Sequence, residues 1–101
     1  MENLRYCFLH IGNDRSDVRL AGYRFPLTFT EYRILRIITE HTVAQDGGAT
    51  VDTIFSSLGD RDIQRGNVPV HICSLNKKAR SISGRKLVLY EHGHYYLNDC
   101  M

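Results

Sequence analysis

The chain has 101 residues, 43% of them hydrophobic and 24% charged, with a formal net charge of +2. That length holds one domain and one core. The composition excludes disordered and collagen-like classes, and no run approaches the roughly 20 apolar residues of a membrane span. Three widely spaced cysteines, Cys7, Cys73 and Cys100, do not read as a disulfide framework. The opening MENLRYCFLHIG lacks the basic start and long apolar run of a secretion signal. A cytoplasmic location is therefore expected.

The first third reads as β structure, over about residues 5–27. Arg5 to Ile11 alternates polar and apolar residues as one strand, with Tyr6, Phe8 and His10 on one face and Cys7, Leu9 and Ile11 on the other. Gly12-Asn13-Asp14 is turn chemistry. Asp17–Leu20 and Tyr23–Leu27 then read as two short strands joined around Ala21-Gly22, giving a three-stranded antiparallel sheet. Thr28-Phe29-Thr30-Glu31 fits a capping box. It opens a helix over about 29–41 with Ile34, Leu35 and Ile38 on one stripe, Tyr32 and Ile37 flanking, and Arg33, Arg36 and Glu40 facing away. Ala49-Thr50 is a candidate short strand, and a second helix is expected over about 52–58, stopped by Gly59.

The third helix, about 68–82, carries the functional signal. Asn67 is a suitable N-cap and Pro69 fits the first turn. Val68, Ile72, Leu75, Ala79 and Ile82 make a buried stripe, while His71, Ser74, Asn76, Lys77, Lys78 and Arg80 form the polar side. Charge is concentrated here. Residues 63–86 hold six basic and no acidic residues, giving +6, while the rest of the chain holds seven basic and eleven acidic ones, giving −4. Such an asymmetry points to an anionic partner, the plain alternative being a solvated helix face. Leu87–Glu91 and Tyr95–Asn98 read as a hairpin turning on His92-Gly93-His94. A helix pair with a basic second member, followed by a hairpin, defines an α+β winged helix-turn-helix: N-terminal antiparallel sheet, three helices and a C-terminal β-hairpin wing over 87–98. The major groove of DNA admits one α-helix, so a helix apolar behind and basic in front can occupy it while anchored to a core.

These segments resemble the DNA-binding effector domain of OmpR/PhoB-type response regulators. VRLAGYRFPLTFTEYRIL resembles the family's strand, turn, strand and first-helix opening; VPVHICSLNKKA resembles its recognition-helix signature, usually written VDVHI..LRKKL; LVLYEHGHYYL resembles its closing wing. The resemblance covers about Val18 to Leu97. It implies a bacterial transcription regulator that binds double-stranded DNA. His71 and Lys77 match phosphate-contacting positions, and Val70 and Ser74 match positions that face bases. With Arg65, Asn67, Asn76, Lys78, Arg80 and the wing residues His92 and His94, they make up the expected DNA-binding set. The nine-residue connection 59–67 matches the loop through which the family touches RNA polymerase. Homodimeric or tandem binding to repeated half-sites is expected, and no cofactor or membrane partner. The sequence also departs from the pattern. Ser74 and Asn76 stand where arginines are common, Pro69 where Asp is typical, and Glu91 where an arginine often enters the minor groove. No receiver domain accompanies these residues, so the chain reads as a stand-alone effector or a piece of a larger regulator.

Other chemistries have weaker support. His92-x-His94 with Cys100, and Cys7-x-x-His10, fit no established zinc spacing. No nucleophile elbow, P-loop or dinucleotide fingerprint is present, so an enzyme is not expected. The serious rival is a winged helix that has lost DNA readout and binds protein, a reading motivated by the missing arginines.

Overall fold

A computed structural model describes residues 3–44, 47–59 and 64–98. Strands β1 (Leu4–Tyr6), β2 (Leu9–Ile11), β3 (Val18–Leu20) and β4 (Tyr23–Arg24) form one antiparallel sheet in chain order. Helices α1 (Phe29–Val43), α2 (Val51–Leu58) and α3 (Val68–Ser83) follow, with a single 3₁₀ turn at Arg65–Asn67 before α3. Strands β5 (Val88–Glu91) and β6 (His94–Leu97) close the chain as a separate hairpin. The α+β class and the order of elements expected from the sequence are present. No helix of the described residues is long and apolar enough to cross a membrane.

The N-terminal sheet has four strands, where three were expected. Residues 5–11 do not form one strand but bend back at Cys7-Phe8, so that Tyr6 pairs with Leu9 and Arg5 with His10. Cys7 takes the left-handed conformation the two-residue turn requires, with φ 52°. No Gly, Asn or Asp marks that turn, which is why the alternation reads as unbroken. The reversal changes which residues share a face. Leu9, Ile11, Val18 and Leu20 are buried, while Arg5, Arg19 and Arg24 are exposed. The β3–β4 turn follows the usual pattern, with positive φ at both Ala21 and Gly22.

Helix α1 begins as expected. The Glu31 N–H donates to Thr28 Oγ1 at 3.2 Å and the Thr28 N–H donates to Glu31 Oε1 at 2.8 Å, completing the capping box. Thr28→Ala is expected to lower stability by about 1 kcal/mol, the usual worth of a hydroxyl cap, as a shift in urea midpoint at unchanged m-value. Tyr32, Ile34, Leu35 and Ile38 enter the core with the inner face of the sheet and with Ile54, Leu75, Leu87 and Leu97. Arg33 and Arg36, expected to face away, are engaged instead. Arg33 donates to the Leu58 carbonyl at the end of α2. Arg36 and the Tyr32 hydroxyl both donate to the Gly12 carbonyl, at 3.2 and 3.0 Å, fastening α1 to the loop after β2. Long guanidinium arms reach backbone acceptors that helical periodicity alone does not reveal.

Ala49 contributes a single bridge, to Tyr95, and Thr50 is the cap of α2, its hydroxyl accepting from the Thr53 N–H at 3.1 Å. The bridge explains Gly48. Its φ is +96°, and a Cβ there would stand 2.2 Å from the Tyr95 carbonyl oxygen, so glycine alone fits this backbone approach. Asn67 makes no side-chain cap: the 3₁₀ turn places it in right-handed helical conformation, outside the extended region from which a cap hydroxyl or amide reaches back. The hairpin turn is shorter than expected, His92-Gly93 only, with positive φ at both residues and His94 already in β6 opposite Glu91.

Candidate nucleic-acid interface

Helix α3 is 16 residues long, with Pro69 in its first turn and Gly84 closing it in the left-handed conformation. Val68, Ile72, Leu75 and Ala79 are buried and hold it against α1 and α2. The residues read as one polar side separate into three groups once the neighbours are in place.

The first group is the exposed stripe of Val70, Cys73, Lys77 and Arg80, at spacings of three, four and three. It borders a groove of about 350 Å³ between α3 and the hairpin, to which Lys86 and Tyr95 also contribute. Burial, followed by the neighbouring Tyr90 hydroxyl, pushes the Tyr95 phenol above its ordinary range, so it stays neutral. The Tyr90 and Tyr95 rings pack with centroids 4.7 Å apart and brace the hairpin beside the helix.

The second group, His71, Ser74 and Lys78, lies on an adjoining half-buried stripe. Two of its members converge on one acid. The Lys78 ammonium donates to Glu31 Oε1 at 2.6 Å, and Ser74 hydrogen-bonds to the same carboxylate. Glu31 is only 2% exposed. Burial opposes its ionisation, but the Lys78 and Ser74 hydrogen bonds, the Thr28 N–H and the Lys78 charge together hold its pKa below the ordinary value.

The third group is Asn76 alone. Its Oδ1 accepts from the Leu87 and Val88 N–H groups at 3.1 and 2.8 Å, and its Nδ2 donates to the Val88 carbonyl at 3.0 Å. The amide thus satisfies three backbone groups where the chain leaves α3 and enters β5. Asn98 completes the seam: its N–H donates to the Leu87 carbonyl and its side chain to that of Lys86.

The remaining expected residues stand at the margins. Arg65 and Asn67 are exposed ahead of the helix, Arg65 pairing with Asp52 at 2.7 Å. His92 is exposed at the hairpin tip, 3.4 Å from Glu91, and the His94 Nδ1 donates to the His92 carbonyl at 3.0 Å. Glu91 also accepts from the Tyr96 hydroxyl at 3.0 Å, so its carboxylate lies along the hairpin. Residues 60–63 of the loop expected to touch RNA polymerase lie outside the described residues, as does Cys100. Among the described residues no three His, Cys, Asp or Glu side chains converge as metal ligands.

Two participants were not legible as such. Glu31 reads as a capping residue only, and its partner lies 47 positions away. Lys86 belongs to the basic block but looks like linker until the groove forms. The molecule is an α+β domain with a cationic helix stripe beside a C-terminal hairpin. The chain matches no protein-family model and no curated protein.

Proposed function

We propose that the domain is a winged helix-turn-helix that binds double-stranded DNA and regulates transcription, with α3 in the major groove and the β5–β6 hairpin over the adjacent groove. The observation that carries this reading is the exposed stripe of α3, which keeps Lys77 and Arg80 free of ion pairs among the described residues and flanks them with Lys86 and the hairpin. Lysine and arginine placed so release counterions from the phosphate backbone and supply affinity without regard to sequence. Val70, exposed to 64%, and Cys73 would meet base edges, where apolar groups pack on thymine methyls. Ser74, Asn76 and Lys78 serve the protein's own packing in this reading, leaving Arg65, Asn67, Val70, His71, Lys77 and Arg80 with the hairpin histidines His92 and His94 as the DNA-facing set. The resemblance to OmpR/PhoB effector domains supports the same assignment and carries the contact of loop 59–67 with RNA polymerase. So few base-facing groups imply binding as a dimer or in tandem on repeated half-sites.

A gel-shift titration against genomic fragments tests the reading. Duplex binding is expected to weaken steeply with salt, and Lys77→Ala/Arg80→Ala to flatten the log–log salt dependence by about 2, roughly one per phosphate contact removed. No shift with any duplex at low salt overturns it. The exposed Val70 and Cys73 in the N-terminal half of the stripe favour a second reading, a protein-binding winged helix, which that negative result would select.

A further inference from the structure

The four-stranded sheet turns a row of cations to solvent on its outer face. Arg5 pairs with His10, His10 with Arg19, and Arg19 with Arg24, so these four residues stand side by side across β1, β2, β3 and β4. At the usual strand separation the row spans about 14 Å. Arg5, Arg19 and Arg24 are exposed and His10 is half-buried. Among the described residues none of the four has an ion pair or a side-chain hydrogen bond. Directly opposed like charges such as Arg19 and Arg24 weaken a sheet, so folding supplies no reason for the row.

An aromatic ring stands beside it. Phe8, at the tip of the β1–β2 turn, is 57% exposed. With Arg5, His10 and Arg19 it lines a shallow depression of about 420 Å³. A phenylalanine left in water at a turn tip contributes little burial to the core. A positive track with an adjoining aromatic face is what single-stranded nucleic acid uses: phosphates along the cations and a base stacked on the ring. A four-stranded face is too wide to enter a duplex groove, which admits a helix or a two-stranded ribbon. A protein interface would centre on apolar anchors with the charges at its rim, and here the cations form the centre.

We propose that the outer face of the N-terminal sheet binds single-stranded nucleic acid, with Arg5, His10, Arg19 and Arg24 along the backbone and Phe8 stacking on a base. The site is separate from the α3 stripe and does not depend on the duplex reading. Fluorescence anisotropy with a labelled oligothymidylate of roughly 12 nucleotides tests it on the intact chain. Three arginines, each releasing about 0.7 counterion from a single strand, predict affinity about 20-fold weaker at about 200 mM salt than at 50 mM. Arg19→Ala/Arg24→Ala is expected to reduce oligothymidylate binding at low salt by about 10-fold and to flatten that salt dependence. Phe8→Ala is expected to reduce it by about 5-fold or more. The α3 variant Lys77→Ala/Arg80→Ala should retain it, and the sheet variants should retain duplex binding, so either site can fail alone. Removing opposed charges leaves the thermal midpoint at or above that of the parent, and Arg19→Gln/Arg24→Gln gives a second pair with the same expectation. Absence of oligothymidylate binding at low salt overturns the proposal. So does equal affinity in the sheet variants, or tighter binding of an oligoglutamate peptide to the same face, which would assign the row to an acidic protein.

Discussion

Glu31→Gln is expected to lower the stability of the domain by about 2–3 kcal/mol at neutral pH, and Glu31→Ala by about 3–4 kcal/mol. Removing one partner of a buried ion pair typically costs about 3–5 kcal/mol, because the other charge loses its compensation. The value here falls toward the lower end, since the Lys78 side chain is 34% exposed and can turn to water. Glutamine keeps the volume and the bond from the Thr28 N–H but loses the charge that holds Lys78 and Ser74. Alanine also removes the acceptor of the Thr28 N–H at the start of α1 and adds a cavity.

The same site sets an acid limb. The folded pKa of Glu31 lies below its ordinary value of 4.5. Its contribution is therefore fully present above the ordinary value and is lost as pH falls through the folded one. Urea unfolding at pH 7 and at steps from about pH 6 to 3 checks both claims. The parent should weaken through the acid range, and Glu31→Gln should show a shallower decline. Parent-like stability of Glu31→Gln at pH 7 would show that Lys78 and Ser74 are indifferent to the carboxylate.

Asn76→Ala is expected to cost about 2–4 kcal/mol, for a different reason. Three hydrogen bonds disappear together, and the N–H groups of Leu87 and Val88 are left beside residues that are themselves 1% and 3% exposed. Each orphaned buried donor carries about 1–3 kcal/mol of desolvation. Asn76→Asp retains the acceptor but points a carboxylate oxygen at the Val88 carbonyl, so it should fall between alanine and the parent. Hydrogen exchange separates this mechanism from a general loss of packing. In Asn76→Ala the Leu87 and Val88 amides should lose protection beyond the global change, while the amides of α1 follow global stability. Because Asn76 ties the start of β5 to α3, the proposed duplex binding is expected to weaken further than loss of one surface contact explains.

Asn76, Ser74 and Lys78 show how a helix reading can be right and its polar side still misassigned. Periodicity separates apolar from polar positions and puts Val68, Ile72, Leu75, Ala79 and Ile82 on the inner stripe of α3, of which the first four are buried and Ile82 partly so. Periodicity carries no information about whether a polar position faces water or a polar group on another element. Here α1 presents Glu31 to one flank and the start of β5 presents three backbone groups to the other. The N-terminal sheet has a similar origin. Reading 5–11 as one strand puts Tyr6 and His10 together, whereas the hairpin at Cys7-Phe8 puts Arg5 beside His10 and lines up the cationic row. A slip of one residue in pairing exchanges the faces of a strand, and nothing local in Tyr6-Cys7-Phe8-Leu9 announces the turn.

By itself the sequence determined the α+β class, the three helices, the Thr28–Glu31 capping box, the Ala21-Gly22 turn and the charge concentration in residues 63–86. These are local properties, set by side-chain period, cap chemistry and turn residues within a few positions of each other. The tertiary packing sets which polar and charged side chains stay exposed. Lys78 is drawn to Glu31 and Asn76 to the root of the hairpin, while Lys77, Arg80 and the row Arg5, His10, Arg19 and Arg24 face outward. The physical reason is that a buried carboxylate or backbone N–H must find a partner wherever the fold brings one. The polar side chains that answer it are chosen by proximity in space.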